Sequence, residues 1–244
     1  MTKNYKIADR IIGVTSLFEE VHRLCADYAV SDAAPDFCVS VARSDLELER
    51  ERSAREIRAE GGEDRQYRDS YLETLAVYRK IAERMPEYGT LLMHGSCIAV
   101  EGAAYLFTAK SGTGKSTHTR LWRELLGDRT RMVNDDKPLI RIDADGATAF
   151  GTPWNGKHRL GSNIAVPLRA ICILQRAEQN TIRPISAQEA YPMLLQQIYR
   201  PMDPAAMRRT LDLIDRLMHS VRFWRLGCRP DLEAAQVAWE AMRQ

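Results

Sequence analysis

A lysine and a hydroxyl follow two closely spaced glycines within residues 109–117, and this combination can hold a chain of phosphates. The glycines let the backbone N–H groups of a loop point at one anion. The lysine can then reach the terminal phosphates, and the first hydroxyl suits a magnesium ion that bridges them. The stretch departs from G-x-x-x-x-G-K-[ST] at Ala109, which can replace glycine if its φ stays negative. The residues expected to contact a nucleoside triphosphate are Ser111, Gly112, Thr113, Gly114, Lys115, Ser116 and Thr117.

Two adjacent carboxylates, Asp135 and Asp136, follow a short apolar strand about twenty residues after Lys115. In P-loop enzymes an acidic residue at a neighbouring strand end completes the magnesium site. Two carboxylates also permit a division of roles, in which one holds the metal and the other accepts a proton from an attacking hydroxyl. Taken alone, the pair could equally be surface acids. Beside the glycine loop, it favours magnesium-dependent phosphoryl transfer.

A second loop with glycines, residues 151–158, carries groups that could hold the phosphate acceptor. Trp154, Asn155 and Lys157 are the predicted contacts, because an exposed indole offers a flat apolar surface and a cation suits an anionic group. Two alternatives stay open at this point. Trp154 could instead pack beneath the loop, and Lys157 could simply be solvated.

The strands and the helix around the first loop are predicted to position it at the edge of a sheet. Residues 91–100 and 103–108 read as two strands that pair across Glu101-Gly102, and a helix runs from Lys115 toward Leu126. Without a ligand, Lys115 is expected to face solvent. The fold class predicted from this pattern is α/β with a mixed central sheet.

The first part of the chain is predicted to form an N-terminal α+β extension over residues 1–88. Residues 4–14 read as one strand, and a charged helical or loosely ordered segment ends at Gly61-Gly62. A helix over 67–85 is expected to bury one stripe, which consists of Tyr71, Leu75, Tyr78, Ala82 and Met85. Residues 89–244 then form the core with the phosphate-binding loop, and the two parts together are expected to make one compact unit.

The composition excludes several classes of partner. A net charge of +2 over 244 residues argues for neither nucleic acid nor a membrane surface, and no window approaches 18 consecutive apolar residues. The five cysteines are scattered, as is typical of reduced thiols in a cytoplasmic protein. Cytoplasmic location is therefore expected, and the oligomeric state, including a homo-oligomer, is left open.

The order of these motifs resembles the catalytic domain of HPr kinase/phosphorylase. That family places a His-Gly before its P-loop and an Asp-Asp after it, as His94-Gly95, residues 111–116 and Asp135-Asp136 stand here. The S-G-T-G-K core is also similar to ATP-dependent phosphoenolpyruvate carboxykinase, whose fold the HPr kinase domain shares. Residues 90–200 further resemble HPr-kinase-related bacterial proteins with a G-T-P-W-x-G-K loop, some of which phosphorylate a serine of a precursor peptide. The E-V-R-G-x-G signature of HPr kinase is absent, and residues 152–157 occupy its region.

The resemblance implies an ATP- and Mg²⁺-dependent kinase that transfers the γ-phosphate to a hydroxyl on a peptide serine or a small metabolite. It implies Asp135 as the proton acceptor, Asp136 with Ser116 as metal ligands, and Lys115 and His94 as groups near the phosphates. Two other interpretations remain: a nucleotide-binding regulator that does no transfer, and an enzyme of the carboxykinase type.

Overall fold

The computed structural model describes residues 1–59 and 66–244. Contacts between residues divide the chain into two units, Met1–Arg84 and Met85–Gln244. The predicted break at Gly61-Gly62 lies outside the described residues. Within the described part of the charged segment, residues 43–59 form a helix.

Over its described residues, the first unit consists of a small sheet and three α-helices. Its elements are β1 (Thr2–Ile7), β2 (Arg10–Thr15), α1 (Glu20–Leu24), β3 (Ala29–Val30), β4 (Phe37–Ser40), α2 (Arg43–Ala59) and α3 (Asp69–Arg84). The sheet order is β3-β1-β2-β4, and β4 is parallel to β2.

Residues 4–14 form part of a hairpin, so the prediction of one strand is wrong. The chain reverses at Ala8 and Asp9, whose φ angles are 49° and 60°. Two consecutive residues with positive φ give the twist that joins antiparallel strands in a two-residue turn. Neither residue is glycine or asparagine, so the usual sequence signal of this turn is missing.

The predicted buried stripe of residues 67–85 is confirmed in part. Tyr78, Ala82 and Met85 are buried as predicted, whereas Tyr71 is 41% exposed. Leu72 and Ile81 are buried but were not predicted. The buried face of α3 also includes the carboxylate of Glu73, which accepts hydrogen bonds from the backbone N–H groups of Leu17 and Phe18. A charged residue at a core position interrupts the apolar period, so the pattern did not reveal this part of the face.

The second unit is built on a curled, mixed sheet. Its elements are β5 (Thr90–Leu92), β6 (Ser96–Val100), β7 (Ala103–Thr108), α4 (Lys115–Leu126), β8 (Thr130–Asn134), β9 (Leu139–Asp143), β10 (Gly146–Phe150), β11 (Ala165–Arg176), β12 (Thr181–Ile185), α5 (Ala187–Gln197), α6 (Pro204–Ser220), β13 (Arg222–Cys228) and α7 (Leu232–Met242). The main path is β5-β9-β10-β11-β7-β6-β8, and β13 pairs with both β11 and β12. The predicted α/β class with a mixed central sheet is confirmed.

Strand β11 is the centre of this sheet. It pairs with β10 antiparallel near its start, and with β7 and β13 in parallel along its second half. Because β7, β11 and β13 run the same way, their carboxyl ends meet at one edge of the sheet. The predicted hairpin of β6 and β7 is present, but Leu91 and Leu92 belong to the separate strand β5.

Side chains of β7 alternate between two hydrophobic layers, as expected for a strand covered on both faces. Leu106 packs into the layer that contains residues of α5 and α6. Tyr105 and Phe107 face the other layer, where their rings contact Trp122 of α4, and Tyr105 also contacts Trp239 of α7. These aromatic contacts fix the helix that follows the glycine-containing loop against the sheet.

Gly151 directly follows β10, at a point where two other backbone segments approach it. A Cβ atom there would lie 1.8 Å from the Ser162 carbonyl oxygen and 2.7 Å from that of Val133. Backbone atoms cannot move aside as a flexible side chain can. The absence of a side chain is therefore a packing requirement at this position.

We expect Gly151→Ala to lower the free energy of unfolding by about 3 kcal/mol or more, at the upper end of overpacking costs. Gly102→Ala is the control, because its Cβ meets no atom within 4 Å and only its positive φ is strained. That strain costs about 1–2 kcal/mol. Denaturant unfolding of both variants measures the difference. Equal losses would show that the approach at Gly151 is relieved by backbone movement.

Candidate functional site

The loop between β7 and α4, residues 109–114 and called the glycine loop below, contains two glycines in the left-handed region of φ. Gly112 and Gly114 have φ angles of 73° and 119°, which side-chain-bearing residues rarely adopt. Within the described residues, Ala109 is not among those with positive φ, so alanine is tolerated at that position. Gly114 then begins helix α4, and its carbonyl accepts the first helical hydrogen bond, from the His118 N–H at 2.9 Å.

Lys115 folds back onto the glycine loop, so the expectation that it faces solvent is wrong. Its Nζ donates to the carbonyl oxygens of Ala109, at 3.0 Å, and Lys110, at 3.3 Å, and the residue is 9% exposed. A buried ammonium needs hydrogen-bond acceptors, and the loop carbonyls supply them. The charge is thereby held beside the loop that is predicted to bind phosphates.

Asp135 lies against the start of α4. Its carboxylate accepts a hydrogen bond of 2.5 Å from the hydroxyl of Ser96 on β6, and the Ser116 hydroxyl lies near enough to influence its pKa. Ser96 also lies 2.8 Å from the hydroxyl oxygen of Thr119, one turn along the helix from Ser116. Burial raises the pKa of the Asp135 carboxyl above its ordinary value, and the Ser96 and Ser116 hydroxyls oppose this shift without cancelling it. The structure thus brings Ser116 and Asp135 together.

Asp136 points into different surroundings from its neighbour. One of its oxygens lies 3.1 Å from Lys137 Nζ and 3.5 Å from His94 Nε2. Burial, together with the positive charges of Lys137 and Lys115, lowers the pKa of His94 to about 4. The imidazole is therefore neutral at pH 7, and its contact with Asp136 is not an ion pair. The structure therefore places His94 beside Asp136, next to Asp135 in the chain.

Asn134 shapes the turn that carries both carboxylates, and the sequence reasoning missed it. Its side chain is fully buried, and its Oδ1 accepts from the backbone N–H groups of Asp136, at 2.8 Å, and Lys137, at 2.6 Å. Its Nδ2 donates to the carbonyl and the hydroxyl oxygen of Thr152. The sequence offered one signal for this role, which is an asparagine directly before a turn. An asparagine side chain readily forms a hydrogen bond with the backbone two residues further along the chain.

The loop of residues 151–158 lies against the carboxylates but presents different side chains from those predicted. Trp154 is only 7% exposed, so its indole is not an exposed platform and the packed alternative is correct. Asn155 is half-buried, and Lys157 is exposed. A Cβ atom on Gly156 would lie 3.2 Å from Cβ of Asp136, which shows how closely the loop approaches the acidic pair. His158, next to Lys157, is near enough to Asp135 for its charge to affect that carboxyl.

Arg176, at the end of β11, is a further residue at this edge that the sequence did not reveal. Its Nη2 donates to the Gly112 carbonyl oxygen at 2.7 Å. The two residues are far apart in the chain, and the parallel pairing of β7 with β11 brings them together. The contact adds a second cation beside the glycine loop.

The protein groups fit a magnesium ion that is shared with a bound triphosphate. Within the part of the chain that the structure describes, no three His, Cys, Asp or Glu residues gather as an all-protein metal site. Magnesium in phosphate-binding sites usually has one or two carboxylate ligands and takes the rest from phosphates and water. Ser116 and Asp135 offer a hydroxyl and a carboxylate of this kind.

We expect Asp135→Asn, free of nucleotide and metal, to be more stable than the wild type at pH 7. Because burial raises the folded-state pKa of Asp135, the charged carboxylate destabilises the folded protein above that pKa. This penalty is lost as the pH falls toward the ordinary aspartate value of 3.8, where the carboxyl becomes protonated in both states.

Denaturant unfolding between pH 7 and pH 4 would show the advantage of the variant shrinking as the pH falls. Asp145→Asn, at an exposed position in the β9–β10 turn, is the control. A variant that is less stable than the wild type at pH 7 would mean that the Ser96 and Ser116 hydroxyls stabilise the Asp135 carboxylate by more than its burial costs.

Within residues 1–59 and 66–244, no helix is both long and apolar enough to cross a membrane.

Two known proteins show limited similarity to the chain. The DNA replication and repair protein RecF from Renibacterium salmoninarum is 27% identical over 143 residues, which are 56% of this chain and 34% of that protein. The chain thus spans about a third of the length of this curated relative. The Hpr(Ser) kinase/phosphatase from Coxiella burnetii is 13% identical, over 52% of this chain and 97% of that one. Its TM-score of 0.30 is too low for the two folds to be equated.

A family model gives the broader assignment. The model of SynChlorMet cassette protein ScmC matches residues 63–205, more than half of the chain, and includes the glycine loop, both carboxylates and the loop of residues 151–158. The chain belongs to the ScmC family of SynChlorMet cassette proteins.

Proposed function

We propose that this protein is an ATP-dependent phosphotransferase that moves the γ-phosphate to a hydroxyl group. The observation that supports this best is that the Ser116 hydroxyl, at the start of α4, lies near enough to the Asp135 carboxylate, directly after β8, to oppose the rise in its pKa. The hydroxyl that follows a glycine loop is thus close to a carboxylate that follows a neighbouring strand. This is the arrangement that phosphoryl-transfer enzymes use to hold magnesium and phosphates.

The glycine loop would bind the phosphate chain through its backbone N–H groups and the N-terminus of α4. Lys115 is already beside the loop and would exchange its two carbonyl acceptors for phosphate oxygens. Magnesium, when bound, would neutralise charge on the terminal phosphates. These groups position the nucleotide and do no covalent chemistry themselves.

The geometry favours a division of roles opposite to the one drawn from the family resemblance. Asp135 contacts Ser116 and is the better placed metal ligand. Asp136 lies on the side of His94 and the loop of residues 151–158, where a hydroxyl could approach. We therefore propose Asp136 as the proton acceptor, with the neutral His94 beside it.

The acceptor would enter beside the loop of residues 151–158. Lys157 is exposed there and can attract an anionic group, and Asn155 is a half-buried polar neighbour. Trp154 would support the loop from below rather than contact the acceptor. The acceptor class that we propose is a serine hydroxyl of a peptide or a hydroxyl of a small metabolite.

Lys115→Ala should weaken binding of ATP with magnesium by about tenfold or more, the loss that a charged hydrogen bond of 1.4 kcal/mol or more predicts. It should also lower stability, since the loop carbonyls lose a donor. Lys110→Ala is the matched control, because Lys110 is an exposed lysine of the same loop. Calorimetric titration measures affinity, and a folded Lys115→Ala variant that binds ATP like the wild type would rule out the phosphate site.

Asp135→Asn should abolish the magnesium dependence of ATP binding, whereas Asp136→Asn should leave binding near normal and lower transfer by about 10²–10⁴-fold, the usual contribution of a general base. Transfer is followed with radiolabelled ATP and a panel of serine peptides, free amino acids and sugars. Asp145→Asn serves again as the control.

The reverse pattern would restore Asp135 as the proton acceptor and Asp136 as the metal ligand. If wild-type protein binds ATP but labels no acceptor and hydrolyses no ATP, the protein is a nucleotide-binding regulator and the transferase proposal fails.

A further inference from the structure

A cavity of about 460 Å³ opens beside the glycine loop, away from the carboxylates. Gly112, Thr117 and Leu121 form one wall, and Leu174, Arg176 and Cys228 contribute to the other. Its volume falls within the range of about 300–1,000 Å³ that is typical of small-molecule sites. Leu174, Ala177 and Cys228, which also line it, have no role in the reaction proposed above.

The first two turns of α4 separate the cavity from the acidic site. Ser116 and Thr119 are joined to the network of Ser96 and Asp135. Thr117 and Leu121 lie on another side of the same helix and line the cavity. A phosphate chain on the glycine loop therefore has two distinct ends: one at Ser116 and Asp135, the other at the cavity.

The position of the cavity follows from the parallel strands. Arg176 ends β11 and Cys228 ends β13, and the two residues are paired in register. The glycine loop follows β7, the parallel neighbour of β11. In open α/β sheets, ligands bind outside the carboxyl ends of such strands.

The lining combines apolar surface with cations. Leu121 and Leu174 are buried leucines, whereas Arg176 and Arg229 carry guanidinium groups that can stack on a planar aromatic ring. This combination suits a flat heteroaromatic group that is attached to an anionic chain. It suits neither a second phosphate, which needs no apolar wall, nor an aliphatic chain, which needs no cation.

His118 adds an unsatisfied donor to the lining. The residue is 2% exposed, and its Nε2 accepts a hydrogen bond from Trp122 Nε1–H at 3.0 Å. Burial lowers the pKa of His118 to about 3, so the ring is neutral and its proton lies on Nδ1. Among the described residues, this Nδ1–H has no partner, and buried donors without partners are rare in folded proteins.

We infer that this cavity receives the nucleoside, base and ribose, of the nucleotide whose phosphates lie on the glycine loop. The inference rests on the proposed function and adds to it the orientation of the bound nucleotide. The terminal phosphate points to Ser116 and Asp135, and the base lies between α4 and the ends of β11 and β13.

Cys228 reports on this cavity directly. It is partly buried, whereas Cys25, Cys97 and Cys172 are buried and Cys38 is exposed. In a C38S variant, a small alkylating reagent should therefore modify mainly Cys228. The alkylation that is lost when C228S is added to this variant is the part due to Cys228. Alkylation is measured at mildly alkaline pH, because burial raises the pKa of the Cys228 thiol.

Saturating ATP with magnesium should slow alkylation of Cys228 by about tenfold or more, because nearly all molecules are then occupied. Inorganic tripolyphosphate should leave the rate unchanged, since it fills the glycine loop without a nucleoside. Unchanged alkylation in a protein that calorimetry shows to bind ATP would overturn the inference and leave the proposed function standing. If neither ATP nor tripolyphosphate binds, the proposed function fails first.

A second test places a larger side chain at a position that lines the cavity. Ala177→Phe should weaken ATP binding by about tenfold, or 1.4 kcal/mol, and leave tripolyphosphate affinity unchanged. Glu178→Phe is the matched control, because it adds the same ring at an exposed neighbour that does not line the cavity. Equal ATP affinities in the two folded variants would also overturn the inference.

Discussion

The candidate site depends on one buried amide. Asn134 accepts two backbone hydrogen bonds from the turn that carries Asp136 and Lys137, and donates two to Thr152. Each buried backbone group that lost such a partner would cost about 1–3 kcal/mol. Because all four bonds converge on one side chain, the acidic turn and the loop of residues 151–158 cannot change position separately. The geometry at both carboxylates is thus set by a residue that need not touch a ligand.

The parts of the structure that the sequence predicted are those fixed by local chemistry. Gly112 and Gly114 take positive φ because their neighbours in the chain require a tight loop, and Glu101-Gly102 turns the hairpin that precedes it. The mixed α/β class likewise follows from the alternation of short strands and amphipathic helices. The roles of the nucleotide, metal and acceptor residues stay predictions that only binding and transfer can test.

The parts that the sequence did not reveal depend on contacts between distant segments. Trp154 looks like a surface residue in its glycine-containing loop, but in the folded protein it is only 7% exposed. Arg176 reaches Gly112 because β11 and β7 are parallel neighbours, and no local pattern indicates which strands will pair. Lys115 was expected in solvent because its acceptors are backbone carbonyls, which no sequence motif marks.

Because Lys115 folds onto its own loop, the carbonyl oxygens of that loop compete with any ligand for its ammonium group. Its ammonium group occupies two carbonyl acceptors of Ala109 and Lys110, and a ligand must offer it something better. A polyphosphate can do so, because its anionic oxygens bond an ammonium more strongly than neutral carbonyls do. An uncharged nucleoside cannot. If the proposed function holds, the lysine would therefore favour anionic ligands over uncharged metabolites at this loop.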